Sequence, residues 1–215
     1  MMRVAGIDGC KSGWVAVAVE DGDASSAAPV HGASLAVLLD LTQADLAVVD
    51  GPIGLTDVPA DRDVEAAMRA VLAEASYAGA NAVNRAVLGK GLSKQTFAIM
   101  PKIAEADIVA RARGQDRLRE GHPEVSFSKL AGAPVRDGKT TLSGQAIRRR
   151  LLEDAGFPVG RLVESVPRGF RGGLDDLLDA CILAWSALRL SKGKHLTLPP
   201  LPSRDGQGLV MSVVA

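Results

Sequence analysis

Three groups of aspartates in this 215-residue chain have the types and spacing that metal-ligating chemistry needs. Asp8 closes the apolar run RVAGID and precedes a glycine. Asp50 closes a second apolar run, DLAVVD, and also precedes a glycine. Asp175, Asp176 and Asp179 crowd the start of the apolar stretch LDDLLDACILAWSALRL. If the two runs are strands of one α/β sheet, their carboxyl ends share a rim, where ligands bind in such sheets. Asp176 and Asp179, three apart, fall on one face of a helix. Four carboxylates converging at one point repel one another unless a cation joins them, and hard oxygen donors suit Mg²⁺ or Mn²⁺. Such a site can clamp the attacking and leaving oxygens of a phosphodiester and so hydrolyse it. Each acid also has a plainer reading. A strand-end Asp folds back onto nearby amides in a turn, and acids in a first helical turn complement the helix dipole.

The elements that must position these acids read as an α/β pattern. Residues 3–8 and 14–19 (WVAVAV) form a hairpin around the glycine-bearing turn GCKSG. Residues 21–29 read as a turn, with a short third strand near Val30. Residues 34–43 read as a helix with Ser34 as its N-cap. Residues 45–50 are a buried strand that GPIGL stops. The Ala-rich stretch 61–88 predicts one long helix or two, and 95–113 a helix broken at Pro101, with Ser93 and Gln95 in a loop. Residues 117–120 predict a short strand and 143–156 a helix with a Gly stop. The strongest helix is 174–190, where Leu174, Leu177, Leu178, Cys181, Ile182, Trp185 and Leu188 recur at helical spacing. The stretch 196–202 is extended, and LVMSVV predicts a last strand. The expectation is a single α/β domain over 1–215, with a largely helical insertion around 60–115.

The bulk composition narrows the function classes. Lys and Arg number 25 and so do Asp and Glu, so no basic surplus marks a phosphate-backbone binder. A nucleic-acid partner, DNA or RNA, would rest on local groups such as Arg111, Arg113, Arg117, Arg119 and Arg148–Arg150, which otherwise form solvated helix faces. Aromatics make up only 3%, so Ala, Val, Leu and Ile must build the core. Two cysteines with no CxxC argue against a zinc site or a disulfide framework. The start MMRVAGIDG enters a strand directly, without a signal-peptide pattern. No apolar run reaches the ~20 residues of a membrane span. A cytoplasmic, non-membrane protein is expected, with a homodimer as the default assembly.

Five ordered motifs, GIDGCKSGW, VVDGPIGL, GLSKQTFAIMPKIAEAD, REGHPEVSF and LDDLLDA, resemble the domain-of-unknown-function 429 family, from residue 4 to about residue 190. That family is predicted to consist of nucleases with an RNase H-like fold. The resemblance implies an RNase H-like mixed sheet flanked by helices, with a helical insertion after the fourth strand. It places Asp8 on the first strand and Asp50 on the fourth. DLLDA looks like the acidic start of the last helix in Holliday-junction resolvases of the same superfold, which implies Asp176 and Asp179 as ligands. REGHPE matches the family's E-x-HPE motif and adds Glu120, His122 and Glu124. The chain departs from the family at Ser12, where a second glycine is expected, and at Gly51 and Gly121, where apolar residues are commoner.

Together these readings predict a nuclease dependent on Mg²⁺ or Mn²⁺. Asp8 would bridge two metals, Asp50, Asp176 and Asp179 would hold them, and Glu120 would order the attacking water. Lys102, His122 and Glu124 would face the substrate, while Glu105 and Asp107 would form a solvated face. Two alternatives stand beside it. One is an actin-like phosphotransferase or ATPase that holds phosphate on the GCKSG turn; the other is a catalytically silent binding protein of the same fold.

Overall fold

The computed structural model describes residues 1–55, 76–88, 91 and 93–215. Among the described residues, seven strands form one mixed sheet. In chain order they are β1 (Arg3–Cys10), β2 (Gly13–Glu20), β3 (Asp23–Gly32), β4 (Leu46–Asp50), β5 (Leu118–Gly121), β6 (Thr197–Arg204) and β7 (Val210–Val214). Their order across the sheet is β3-β2-β1-β4-β5-β7-β6. The parallel centre is β1-β4-β5-β7; β2, β3 and β6 run antiparallel to their neighbours.

The helices are α1 (Leu35–Thr42), α2 (Tyr77–Leu88), α3 (Lys94–Arg113), α4 (Pro123–Ala131), α5 (Leu142–Asp154), α6 (Val159–Glu164) and α7 (Leu174–Ser191). Helices α2 and α3 follow β4, as the sequence predicts. The part of the expected 61–88 helix before residue 76 lies outside the described residues. Side chains alternate along each strand, so the sheet has two buried faces. One face, with Val4, Val17, Val48 and Val214, packs against α7 and, through Phe127, Leu152 and Leu162, against α4, α5 and α6. The other, with Ala5, Ile7, Ala47 and Val49, packs against Leu35 and Leu38 of α1 and Ala106 and Ala110 of α3. Helix α7 is buried almost all round in its middle, from Leu177 to Ala184, because it lies between the sheet and other helices.

Several expectations are corrected. Residues 23–32 are a full edge strand, not a turn. The turn is only Asp21-Gly22, both at positive φ (50° and 76°), the geometry that an Asp-Gly pair supplies to a two-residue hairpin. Pro29 is tolerated because β3 is an edge strand. Helix α3 passes through Pro101 unbroken; that residue is exposed, so water can take the bond its ring removes. Ser93 is the N-cap of α3 and accepts the Thr96 N–H at 2.9 Å. Pro123 of the HPE triplet opens α4 at the first helical position, where a missing N–H is harmless.

Candidate active site

One register levels the first pair of acids. Ile7 pairs with Val49 across the parallel β1–β4 ladder, so Asp8 and Asp50 are the next residues along; Asp50 ends β4, whereas β1 runs on to Cys10 in its hairpin with β2 rather than stopping at Asp8. They share the sheet face of Gly6 and Val48, which is the face that α7 covers. The first two turns of α7 add Asp176 and Asp179. Asp8 is 6% exposed, and Asp179 is fully buried.

The charges are felt mutually. Burial raises the Asp8 carboxyl well above its ordinary range, and the fields of Asp50, Asp179 and Asp176 push it further. Its main local support is the Gly9 N–H, which donates to Oδ1 at 2.7 Å. Burial also raises Asp50, against the cationic pull of His122 and Lys139. It raises Asp176 too, although the Gly173 N–H donates to its Oδ2 at 2.9 Å and so makes it the cap of its own helix. Asp179 rises to about 6, chiefly through burial and despite Lys139.

Lys139 is the cation inside this cluster, and no motif pointed to it. It sits in the loop between α4 and α5, and its Nζ donates to Asp179 Oδ2 at 2.7 Å. Burial alone would lower its pKa; the bond to Asp179 and the fields of Asp179, Asp8 and Asp50 outweigh that and hold it above the ordinary lysine range. The other oxygen, Asp179 Oδ1, is buried with no hydrogen-bond partner. An orphaned carboxylate oxygen beside three further acids is the donor chemistry that a hard divalent cation satisfies. As the site stands, the acids are near enough to sense one another's charge. Yet no three His, Cys, Asp or Glu side chains among the described residues are close enough to hold one ion.

A cavity of about 290 Å³ opens over these groups, lined by Asp8, Asp50, Asp176, Lys139, Lys102 and Ile103 among others. Lys102 reaches it from α3. Its ammonium is tied to the Gly13 carbonyl, and lies 4.5 Å from the centre of the Trp14 ring. His122 is the exposed N-cap residue of α4, near enough to act on Asp50.

The remaining predicted residues lie elsewhere. Glu120 pairs with Val49 and so points to the opposite sheet face from Asp50; its carboxylate accepts the Ile53 N–H at 3.0 Å and fixes the segment after β4. It does not line the cavity. Glu124 is turned to the almost fully buried Arg148, which donates to both its oxygens at 2.8 Å. Arg148 is thus no solvated helix arginine. Glu105, expected on a solvated face, binds the Trp14 indole N–H at 2.8 Å and the Leu35 N–H at 2.6 Å, tying α3 to β2 and α1. Asp107 is also buried and pairs with Arg111. The GCKSG turn is internally engaged: Ser12 Oγ lies 2.9 Å from His31 Nε2 and accepts the Arg171 N–H at 2.9 Å. Both cysteines are buried free thiols.

The family described as "Protein of unknown function (DUF429)" matches residues 6–204. The chain belongs to that family. No curated protein matches the chain, and no solved structure does. All four clustered aspartates fall within the matched residues. No helix among the described residues is long and apolar enough to cross a membrane.

The raised carboxyls fix a pH dependence for the metal-free protein. Asp179 titrates near 6 when folded and near 4 when unfolded. Between those values the native state holds a proton that the unfolded chain has released, so stability falls as pH rises through the window. For this fully buried group the loss is about 3 kcal/mol, and Asp8 shifts in the same direction. Lys139 stays charged throughout and does not move the window. Denaturant unfolding in chelator should therefore show greater stability at pH 5 than at pH 7. The opposite slope would mean that the acids are already compensated.

Proposed function

We propose that this protein is an RNase H-like, divalent-metal-dependent phosphodiesterase, with DNA or RNA as its substrate class. The observation that carries the reading is the placement of Asp8 and Asp50 one residue beyond the Ile7–Val49 pair of adjacent strands, beneath the acidic start of α7, with the buried Asp179 Oδ1 left without a partner. The RNase H-like assignment draws support from the same place, since Asp8 lies near the end of the first strand and Asp50 ends the fourth in chain order.

Asp8, Asp50, Asp176 and Asp179 would hold Mg²⁺ or Mn²⁺. Bound there, the metal supplies Lewis-acid activation of water and charge stabilisation at the departing oxygen. Asp8, which feels the charges of the other three acids, is the ligand at the centre of the group. Lys102 lines the cavity and would offer a fixed positive charge to a phosphate. His122, exposed near Asp50 but outside the cavity lining, would meet only a substrate that extends beyond the cavity. Glu120 and Glu124 act through placement: one fixes the segment 51–53, the other holds Arg148. A cavity of about 290 Å³ is at the small end of ligand sites, so a polymer would present one phosphodiester at a time.

The test is a cleavage panel of single-stranded DNA, RNA, duplex, branched junction and a small aryl phosphodiester, each with Mg²⁺, Mn²⁺ or chelator, beside Mn²⁺ calorimetry. Cleavage that needs metal is expected on at least one substrate. Metal binding without any cleavage would favour the silent binding protein, and absence of metal binding would remove the reading.

A further inference from the structure

We propose that Lys139 is a built-in counter-ion that occupies the metal position, and that a divalent cation enters the acidic site by displacing it. The inference rests on the metal reading above and adds a competitor that no motif of the chain announces.

Four observations carry it. The Lys139 ammonium donates to Asp179 Oδ2 at 2.7 Å, while Asp179 Oδ1 has no partner, so the lysine satisfies half of a buried carboxylate. The same ammonium lines the cavity with Asp8, Asp50 and Asp176, and its charge is felt at Asp50 and Asp176 as well. The acids surround a cation yet are not drawn together around one point. A single charge on a long stem spreads its effect over several carboxylates but cannot gather them as a compact divalent ion does.

The fourth observation is how the lysine is held. It sits on a loop between two helices rather than on a strand, and its side chain is 42% exposed against 0% for Asp179. Its ammonium can therefore swing out while the acid stays. The loop itself is anchored at its base. Arg148 donates to the Asp137 carbonyl at 2.8 Å, Ser143 donates to the Asp137 carboxylate at 2.8 Å, and the Thr141 N–H reaches the Gly138 carbonyl at 3.0 Å. The backbone at residues 137–141 is pinned, which aims the lysine at Asp179 while leaving its four-carbon stem free to turn. The other nearby lysine, Lys102, is committed to the Gly13 carbonyl and the Trp14 face, so it cannot play this part.

A site whose competent form is only fractionally populated binds its ligand more weakly by that fraction. If Lys139 is seated nine-tenths of the time, its removal tightens Mn²⁺ binding about tenfold. The experiment compares wild type, K139M and K139R by Mn²⁺ calorimetry at neutral pH, with circular dichroism to confirm folding. K139M should bind Mn²⁺ about tenfold more tightly than wild type, and K139R, which keeps the charge, should bind as wild type or more weakly. Binding by K139M alone would support the inference in its strongest form. If wild type binds Mn²⁺ as tightly as K139M or more so, Lys139 is not a competitor, and the metal reading stands without it. If neither folded protein binds Mn²⁺, the metal reading fails and the inference falls with it. Should K139M unfold without metal, thermal unfolding decides: Mn²⁺ must raise its midpoint more than the wild type's, and an equal or smaller rise overturns the proposal.

Discussion

Asp8→Asn is expected to abolish hydrolysis while making the metal-free protein more stable. Asparagine keeps the shape of Asp8 and can still accept the Gly9 N–H at Oδ1. What it removes is the charge that burial and three neighbouring carboxylates oppose. Replacing an uncompensated buried charge by a neutral isostere should raise stability by about 1–3 kcal/mol in chelator. The same change removes the central ligand of the proposed site, and activity should fall at least about a thousandfold, or ~4 kcal/mol of transition-state stabilisation. The pair of measurements separates two roles that either one alone would confuse. A residue kept for the fold loses stability when changed; a residue kept for chemistry against the fold gains it. Denaturant unfolding with chelator and initial rates with Mn²⁺ check both. A D8N protein that is inactive and also less stable would make Asp8 structural. One that cleaves like wild type would take it out of the site.

The sequence made the acids legible because strand ends are written locally. An apolar run closing on Asp-Gly marks where β4 stops and comes within two residues of the end of β1 at Cys10, and helical spacing marks α7. What joins them is not local. Lys139 lies forty positions before Asp179 in an ordinary polar loop, and only packing brings the two together. Glu120 shows the limit of motif reasoning. The likeness of REGHPE to the family motif suggests a place in the site, but strand side chains alternate, and the β4–β5 register turns Glu120 to the far face. Reading that from sequence would need the register in advance. Glu105 hides in the same way, since its partners are 91 and 70 residues away. The third strand was legible in principle: Asp-Gly at 21–22 is a hairpin signal, but the small polar residues after it lack the apolar alternation by which strands are recognised. Among the family departures, Ser12 has a use here. Its hydroxyl ties the hairpin turn to His31 and to the loop leading into α7.

Gly6→Ala should be the most damaging single substitution on the sheet, and its effect should reach the acidic site. A Cβ at Gly6 would lie 1.9 Å from the Ala184 nitrogen and 2.2 Å from the Ala180 carbonyl oxygen. Both are backbone atoms of α7, so no side chain can turn away; the whole helix must lift off β1. The close approach also sets the distance between Asp8, two residues along β1, and Asp179, the residue before Ala180. Overpacking typically costs 1–3 kcal/mol, and a clash with helix backbone belongs at or above the top of that range, about 3 kcal/mol or more. Gly121→Ala is the control. Its Cβ would meet Val48 Cγ1 at 2.4 Å and Leu183 Cδ2 at 2.6 Å, which are side-chain ends that can shift. It should cost less, about 1–2 kcal/mol, and leave metal affinity near wild type. In G6A, Mn²⁺ affinity should fall even at temperatures where the protein remains folded, because the helix that carries Asp176 and Asp179 has moved away from Asp8 and Asp50. Unfolding midpoints and Mn²⁺ calorimetry on the two variants check this. If G6A binds Mn²⁺ like wild type while folded, the spacing of α7 from β1 is not what assembles the four acids.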